Sequence, residues 1–421
     1  MSHPDYDRAV RHITPDATRD ALLEMVDIAS PTGGEGEMAK YCVDRLRRAG
    51  FDSYLQPVSE GRPNAVGLRP GTGDGCNVLF TGHLDTSYDG DEDYLVGEGF
   101  KAKGVYRDGW IWGLGANNMK SGLASALVAL EAVVREGITL KGDLLFGGVV
   151  GETEKAAIEE FTHPGTSGYG VGSRHLLLHG VSADCAILCE PTALKVCNAN
   201  MGVVWVKLTV GGTVSHSALS NRPGVVNAIE VMHGLQSHLS AWATAYEAAH
   251  EYMGERPNAT VAAIRGGMPW RLSRNPFECS LYLDIRMVPG QTADGVKRSL
   301  RKVLRAYAQQ RGIPEPRLQM YVNDPATVIA PELPVTRTLL AAHHHVTGSV
   351  SPLIMRRPGA DSTHFNRYDV PCICYGPGGR VHPDTKGALM HATGEHVHVD
   401  DLYTAAKVYL YAALTLGNQV L

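Results

Sequence analysis

NVLFTGHLD (Asn77–Asp85) runs from a short apolar stretch straight into a histidine and an acid two residues apart. An apolar run of this length fits a strand buried on both faces, and it ends in polar chemistry. Two other stretches are built alike. DLLFGGVV (Asp143–Val150) leads into Gly151 and Glu152, and DCAIL (Asp184–Leu188) leads into Cys189 and Glu190. Between the first two lies an Ala/Leu/Val-rich segment, Lys120 to Glu136, that follows a Gly-rich turn and reads as a helix. Strands alternating with helices predict an α/β fold, a mostly parallel twisted sheet with helices on both faces. Sites in such sheets form at the carboxyl ends of strands, where His83, Glu152 and Glu190 all fall.

Further along, the texture changes. WVKLTVGGT (Trp205–Thr213) alternates apolar and polar residues, as a strand with one wet face does. A helix over about Val225–Glu247 follows, then the half-exposed strands ATVAAIRGG (259–267) and CSLYLDIRMV (279–288), then a helix over Asp294–Arg311. Two helices on a small antiparallel sheet predict an inserted α+β domain over 201–313. Residues 1–200 and 314–421 form the domain it interrupts, ending in a long helix from Asp400 to Leu416.

With 421 residues, the chain is long for a single core, which agrees with two domains. Lysine and arginine total 39 against 44 acids, a net charge of −5. That balance argues against nucleic-acid or anionic-membrane binding. The N-terminal MSHPDYDRAV lacks the apolar core of a secretory signal, and no apolar run is long enough to span a bilayer. Eight cysteines occur as scattered singles, and Cys279, Cys372 and Cys374 sit in strand-like runs as reduced core residues. A cytoplasmic protein is expected.

Five segments carry the chemistry. His83 is a ligand type suited to a borderline metal, and Asp85, on the same side of an extended chain, can orient its ring. GLGANNMKSG (113–122) presents Asn118 at the start of a helix, where an N-cap is the plainer role. Glu152, emerging from a buried strand, suits a general base. Glu154, Glu159 and Glu160 read as loop acids. Glu190 ends another buried strand. In LMHATGEHVHVDDL (389–402), His391 precedes the last helix, while His396 and His398 read as the wet face of a strand.

In this order, the five segments resemble the metallohydrolase family of acetylornithine deacetylase, succinyl-diaminopimelate desuccinylase and the carboxypeptidase G enzymes. TVSHSALSNRPGVVNAIE (213–230), LDIRMVPG (283–290) and GPGG (376–379) extend the resemblance over nearly the whole chain. It implies a catalytic metal-binding domain and an inserted lid or dimerisation domain. His83 and Glu190 match ligands of one ion, His391 a ligand of the other, and Glu152 the base with Asp85 behind His83. His216 matches a substrate-polarising histidine that reaches across a dimer, and Arg286 a contact to substrate anion. A homo-oligomer is thereby implied.

Two positions depart from the family pattern. Asn118 stands where the family has an aspartate bridging two ions, and Thr153 where it has a second glutamate. A neutral amide leaves the repulsion of two dications uncompensated, and a hydroxyl replaces an anionic ligand poorly. One divalent transition metal per chain (Mn, Zn, Co or Fe) is therefore expected, held by His83, Glu190 and Asn118. His391 is then free to meet substrate or water. With one ion, the substrate must accept more of the developing charge, as an electron-poor aromatic ring does. One family member, an aminohydrolase, converts 5-nitroanthranilate to 5-nitrosalicylate and ammonia, and this chain is similar to it in length and in its altered metal shell. The expected substrate is small, an anionic aromatic or an amino acid. Tyr88 and Trp112 flank these motifs, as pocket walls or as ordinary packing. An N-acyl-amino-acid deacylase or dipeptidase and a non-catalytic binding protein are the alternatives.

Overall fold

The computed structural model describes residues 4–420 except 154, 160–161, 163–166, 384 and 386–393. It divides into two compact units. The first comprises Met1–Ala199, Ile329–Ile354 and Ala360–Leu421, and the second Asn200–Val328 with Met355–Gly359.

The chain enters through α1 (Pro4–Ala9), α2 (Pro15–Val26) and α3 (Gly36–Arg48), then the strands β1 (Asp52–Ser59), β2 (Arg62–Arg69) and β3 (Val78–His83). Next come β4 (Val105–Arg107), β5 (Trp110–Trp112), α4 (Lys120–Arg135), β6 (Leu144–Val149), α5 (Val171–Leu178), β7 (Cys185–Leu188) and β8 (Val196–Asn200). The second unit holds β9 (Gly202–Gly211), α6 (Ala228–Ala248), β10 (Asn258–Gly266), β11 (Glu278–Met287), α7 (Ala293–Arg311), β12 (Arg317–Asp324) and β13 (Thr327–Val328). The chain closes with α8 (Pro334–Thr347), β14 (Leu353–Arg356), α9 (Ser362–Arg367), β15 (Cys372–Cys374), β16 (His396–His398) and α10 (Val399–Gly417).

The first unit's sheet orders its strands β1-β2-β6-β3-β7-β15-β8. Its centre is parallel: β3 pairs with β6 and β7, and β7 with β15. Both margins are antiparallel, at β1–β2–β6 and at β15–β8. The sheet is thus mixed, with the expected parallel order confined to its centre, β6-β3-β7-β15, where three of the strands lead to His83, Glu152 and Glu190. Side chains of β3 alternate between two cores. Val78 and Phe80 pack with α2, α4 and α10, while Leu79 packs with Leu176 of α5 and Phe365 of α9. Helices therefore cover both faces, and each such buried side chain contributes roughly 1.5–3 kcal/mol. Helix starts follow ordinary capping chemistry. The Thr14 hydroxyl accepts from the Ala17 N–H ahead of Pro15 at the first turn of α2.

The second unit is a four-stranded antiparallel sheet, β10-β11-β9-β12. Val204, Val206, Leu208 and Val210 of β9 point to one face, beside Leu281, Leu283 and Ile285 of β11. Leu235 and Leu239 of α6 and Leu300 and Leu304 of α7 close that core. Two features differ from the sequence expectation. The unit does not stop at 313, because β12 continues the ladder along β9 from Arg317 to Asp324. And β10 is exposed over most of its length, with Ile264 59% exposed, because it is the edge strand of its sheet and α6 covers it only in part. No helix among the described residues is long and apolar enough to cross a membrane. All eight cysteines are free and buried.

Candidate metal centre

β6, β3 and β7 lie side by side and run the same way, so their carboxyl ends open onto one edge. His83 is the last residue of β3, Glu152 follows β6 by three residues, and Glu190 follows β7 by two. Topology alone therefore brings them together. One ligand atom from each of His83, Glu152 and Glu190 lies within 4.8 Å of the others.

His83 is buried, and its ring is oriented by the backbone. Nδ1 donates to the Asp85 carbonyl at 2.8 Å, which leaves the Nε2 lone pair facing the opposite way. Three acceptors of the described residues stand near Nε2: Asn118 Oδ1 at 3.3 Å, Glu152 Oε2 at 3.6 Å and Glu190 Oε1 at 3.7 Å. Lone pairs converging in this way repel unless a cation sits among them. Burial disfavours the imidazolium, yet the carboxylates of Asp85, Glu190 and Asp361 outweigh it and raise the His83 pKa. One imidazole nitrogen, two carboxylates and an amide oxygen form a donor set that fits a divalent transition ion.

The Asp85 carboxylate stands 3.6 Å from Nδ1 and has closer partners. It accepts from the N–H groups of Glu152 (3.1 Å) and Thr153 (3.0 Å) and from the Thr32 hydroxyl (2.8 Å). Asp85 thus fixes the strand-end turn that presents Glu152, while its own carbonyl holds the His83 ring. A buried bidentate pair braces the same turn. Arg62 meets Glu35 at 2.6 and 2.9 Å and donates to the Ser167 carbonyl at 3.0 Å. A Cβ at Gly151 would crowd the Arg62 guanidinium, and the φ of +66° there also calls for glycine.

Asn118 belongs to the turn that opens α4. Its N–H and that of Asn117 both donate to Glu395 Oε2, at 2.8 and 3.1 Å. Asn118 is joined to Met119 by a cis peptide bond, and the Met119 sulfur accepts from the His83 N–H at 3.2 Å. A Cβ at Gly82 would overlap the Met119 side chain, so that contact depends on glycine. Beneath the turn, the buried Lys120 ammonium donates to the carbonyls of Met25 (3.1 Å) and Ile28 (2.7 Å). Burial pushes its pKa down to about 7, against the opposing charge of Glu395. The Thr153 hydroxyl is buried, with no hydrogen-bond partner among the described residues.

The structure places the other sequence-derived residues as follows. His391, Glu154 and Glu160 lie outside the described residues, and Glu159 is exposed. His216 caps a short helical turn in the second unit, its Nδ1 accepting from the Ala218 N–H at 3.1 Å, and its side chain is exposed. Arg286, on β11, is engaged by both carboxylate oxygens of Asp284, at 2.7 and 2.8 Å. Tyr88 is half-buried against Phe100, and Trp112 lies against His396 with ring centroids 4.3 Å apart. The expected wet face at His396 is not there. His396 is fully buried, because β16 pairs with β5; its Nε2 accepts from the His382 N–H at 2.9 Å. His398 is half-buried and caps α10. The sequence pattern also passes over Glu395, next to His396. A single acid in an otherwise uncharged stretch ahead of an apolar helix is the one local signal it offers.

The model of Peptidase family M20/M25/M40 matches residues 79–415. N-formyl-4-amino-5-aminomethyl-2-methylpyrimidine deformylase of Bacillus subtilis is 22% identical over 414 residues, covering 92% of this chain and 91% of the relative. Succinyl-diaminopimelate desuccinylase of Gluconacetobacter diazotrophicus is 25% identical, covering 94% and 97%. Acetylornithine deacetylase of Salmonella paratyphi B is 29% identical over 259 residues, covering 61% and 62%. A tripeptidase from Staphylococcus aureus shares the fold with a TM-score of 0.76 at 17% identity, covering 97% of this chain and all of that one. The strand-end cluster and a match over most of its length lead to one conclusion: the chain belongs to peptidase family M20/M25/M40 and is a hydrolase acting on C–N bonds.

Proposed function

We propose that the chain hydrolyses a C–N bond with a single divalent ion, held by His83 and Glu190 with the Asn118 amide oxygen as a further donor. One observation carries this reading. The described cluster contains two carboxylates, Glu152 and Glu190, enough to balance one dication, and the neighbouring positions 118 and 153 are neutral. Bound there, an ion would polarise water and offset negative charge. Glu152 would take a proton from the attacking water and pass it to the departing nitrogen. Asp85 holds Glu152 in place through two N–H groups. His216, Arg286 and His391 are the residues proposed to meet the substrate's anionic groups, on the strength of their motifs.

The substrate that suits a one-ion site is an electron-poor aromatic amine. In 5-nitroanthranilate, water adds at the amine-bearing ring carbon, the nitro group takes up the charge, and ammonia leaves to give 5-nitrosalicylate. The names of the relatives favour an N-acyl amino acid instead, and the two are separable. The purified enzyme with manganese is assayed on 5-nitroanthranilate for ammonia and on N-acetylornithine for acetate. Ammonia release supports the aromatic reading; acetate release alone replaces it with a deacylase. Release of neither product across a range of N-acyl amino acids and dipeptides would favour a binding protein.

The outer edge of β10, with Val261 and Ile264 exposed on it, supports a homo-oligomer through the second unit. The eight free thiols support a cytoplasmic setting.

A further inference from the structure

At the end of the sheet opposite the candidate metal centre, two thiols meet. Cys76 directly precedes the strand turn into β3, and Cys185 is the first residue of β7. Their sulfurs are 3.6 Å apart, at van der Waals contact. The two strand starts are clamped to each other, with the Asn77 N–H donating to the Asp184 carboxylate at 2.7 Å and the Asp184 N–H to the Asn77 carbonyl at 2.9 Å. Neither thiol is used by the proposed chemistry.

We propose that Cys76 and Cys185 form an oxidisable dithiol, a modification site that a hydroperoxide converts into an intrachain disulfide. Three observations support it. The sulfurs need to close by only about 1.5 Å to reach disulfide length, between backbones already held together. The stretch before Cys76, GTGDG (71–75), is Gly-rich and exposed at Thr72, Gly73 and Asp74, so a small oxidant reaches the thiol by a local opening of that turn. And the Cys185 thiol, by hydrogen bonding to Cys76, holds the Cys76 pKa below the ordinary thiol value against burial and the Asp184 charge. The same bond pushes Cys185 up. Cys76, which adjoins the exposed turn, is the sulfur that meets the oxidant, and Cys185 beside it is the resolving one.

The steps balance. The Cys76 thiolate attacks one peroxide oxygen and breaks the O–O bond, giving a sulfenic acid and hydroxide, which takes up the thiol proton as water. The Cys185 sulfur then displaces hydroxyl from the sulfenic sulfur, and a second water leaves. Two thiols lose two electrons to the peroxide and become one disulfide.

The test is intact-mass measurement and thiol alkylation of the full chain under non-reducing conditions, before and after hydrogen peroxide. The expected result is a loss of about 2 Da and of two of the eight thiols, restored by a phosphine reductant, with proteolysis linking the Cys76 and Cys185 peptides. Cys76→Ser and Cys185→Ser should each abolish the loss. Eight thiols still free, oxygen adducts without cross-linking, or a disulfide joining other cysteines would each overturn the proposal.

Discussion

The two sides of the candidate site are built to the same precision but carry different charge. On one side, His83 and Glu190 present an imidazole nitrogen and a carboxylate from adjacent parallel strands, with Glu152 beside them. On the other, Asn118 and Thr153 are held as firmly, through Glu395 and Asp85, and both are neutral. The supporting hydrogen bonds are present on both sides, and only the ligand charge differs. Degradation of an unused site would be expected to loosen the supports along with the ligands. Retained supports around neutral residues point to a site working with fewer charges.

The largest effect should come from Glu152. Glu152→Gln is isosteric and should lower turnover about 1,000-fold at saturating manganese, the usual range for a lost general base. Turnover near the parent value would make Glu152 a bystander. The contrast is sharpened from the other side by Asn118→Asp, which restores the missing charge. Manganese affinity should rise about 100-fold by calorimetric titration, since an added carboxylate faces a dication in a buried site. Unchanged affinity would place Asn118 outside the ligand set. A smaller change is expected at Glu395→Gln, which weakens the grip on the Asn117 and Asn118 N–H groups. Affinity should fall about 10-fold, the scale of an outer-sphere support.

How much of this the sequence discloses depends on how local the cause is. His83, Glu152 and Glu190 are legible because each buried apolar run stops at a charged or titratable residue, and parallel order then brings the stops together. Glu395 and His396 are not. His396 looks wet in a three-residue alternation, and it is buried only because β16 pairs with β5, nearly three hundred residues earlier in the chain. Asp85 is legible as a residue behind His83, whereas its grip on the Glu152 turn follows from β3 lying beside β6. The boundary of the second unit fails for the same reason: β12 joins by pairing with β9, which no local pattern announces.

Two buried histidines extend the comparison at smaller scale. His83 is surrounded by carboxylates, which favour its charged form. Burial drives His364 the other way, and the charges of Arg174 and Arg367 add to it, lowering its pKa to about 3. His364 is therefore neutral in the fold and titrates near 6.5 when unfolded. Its contribution to stability is complete above pH 6.5 and is lost as pH falls from there toward 3, at up to about 1.4 kcal/mol per pH unit. His364→Gln should flatten the acid limb of denaturant-measured stability by that one-proton slope. An unchanged limb would mean that His364 is already charged in the native state.

With positions 118 and 153 neutral, the proposed site has the charge for one ion only. Elemental analysis of the purified chain, with calorimetric titration of manganese into the metal-free protein, measures this directly. One ion per chain is predicted, rising to two when Asn118→Asp is combined with Thr153→Glu. Two ions in the parent chain, or none, would overturn the one-ion site.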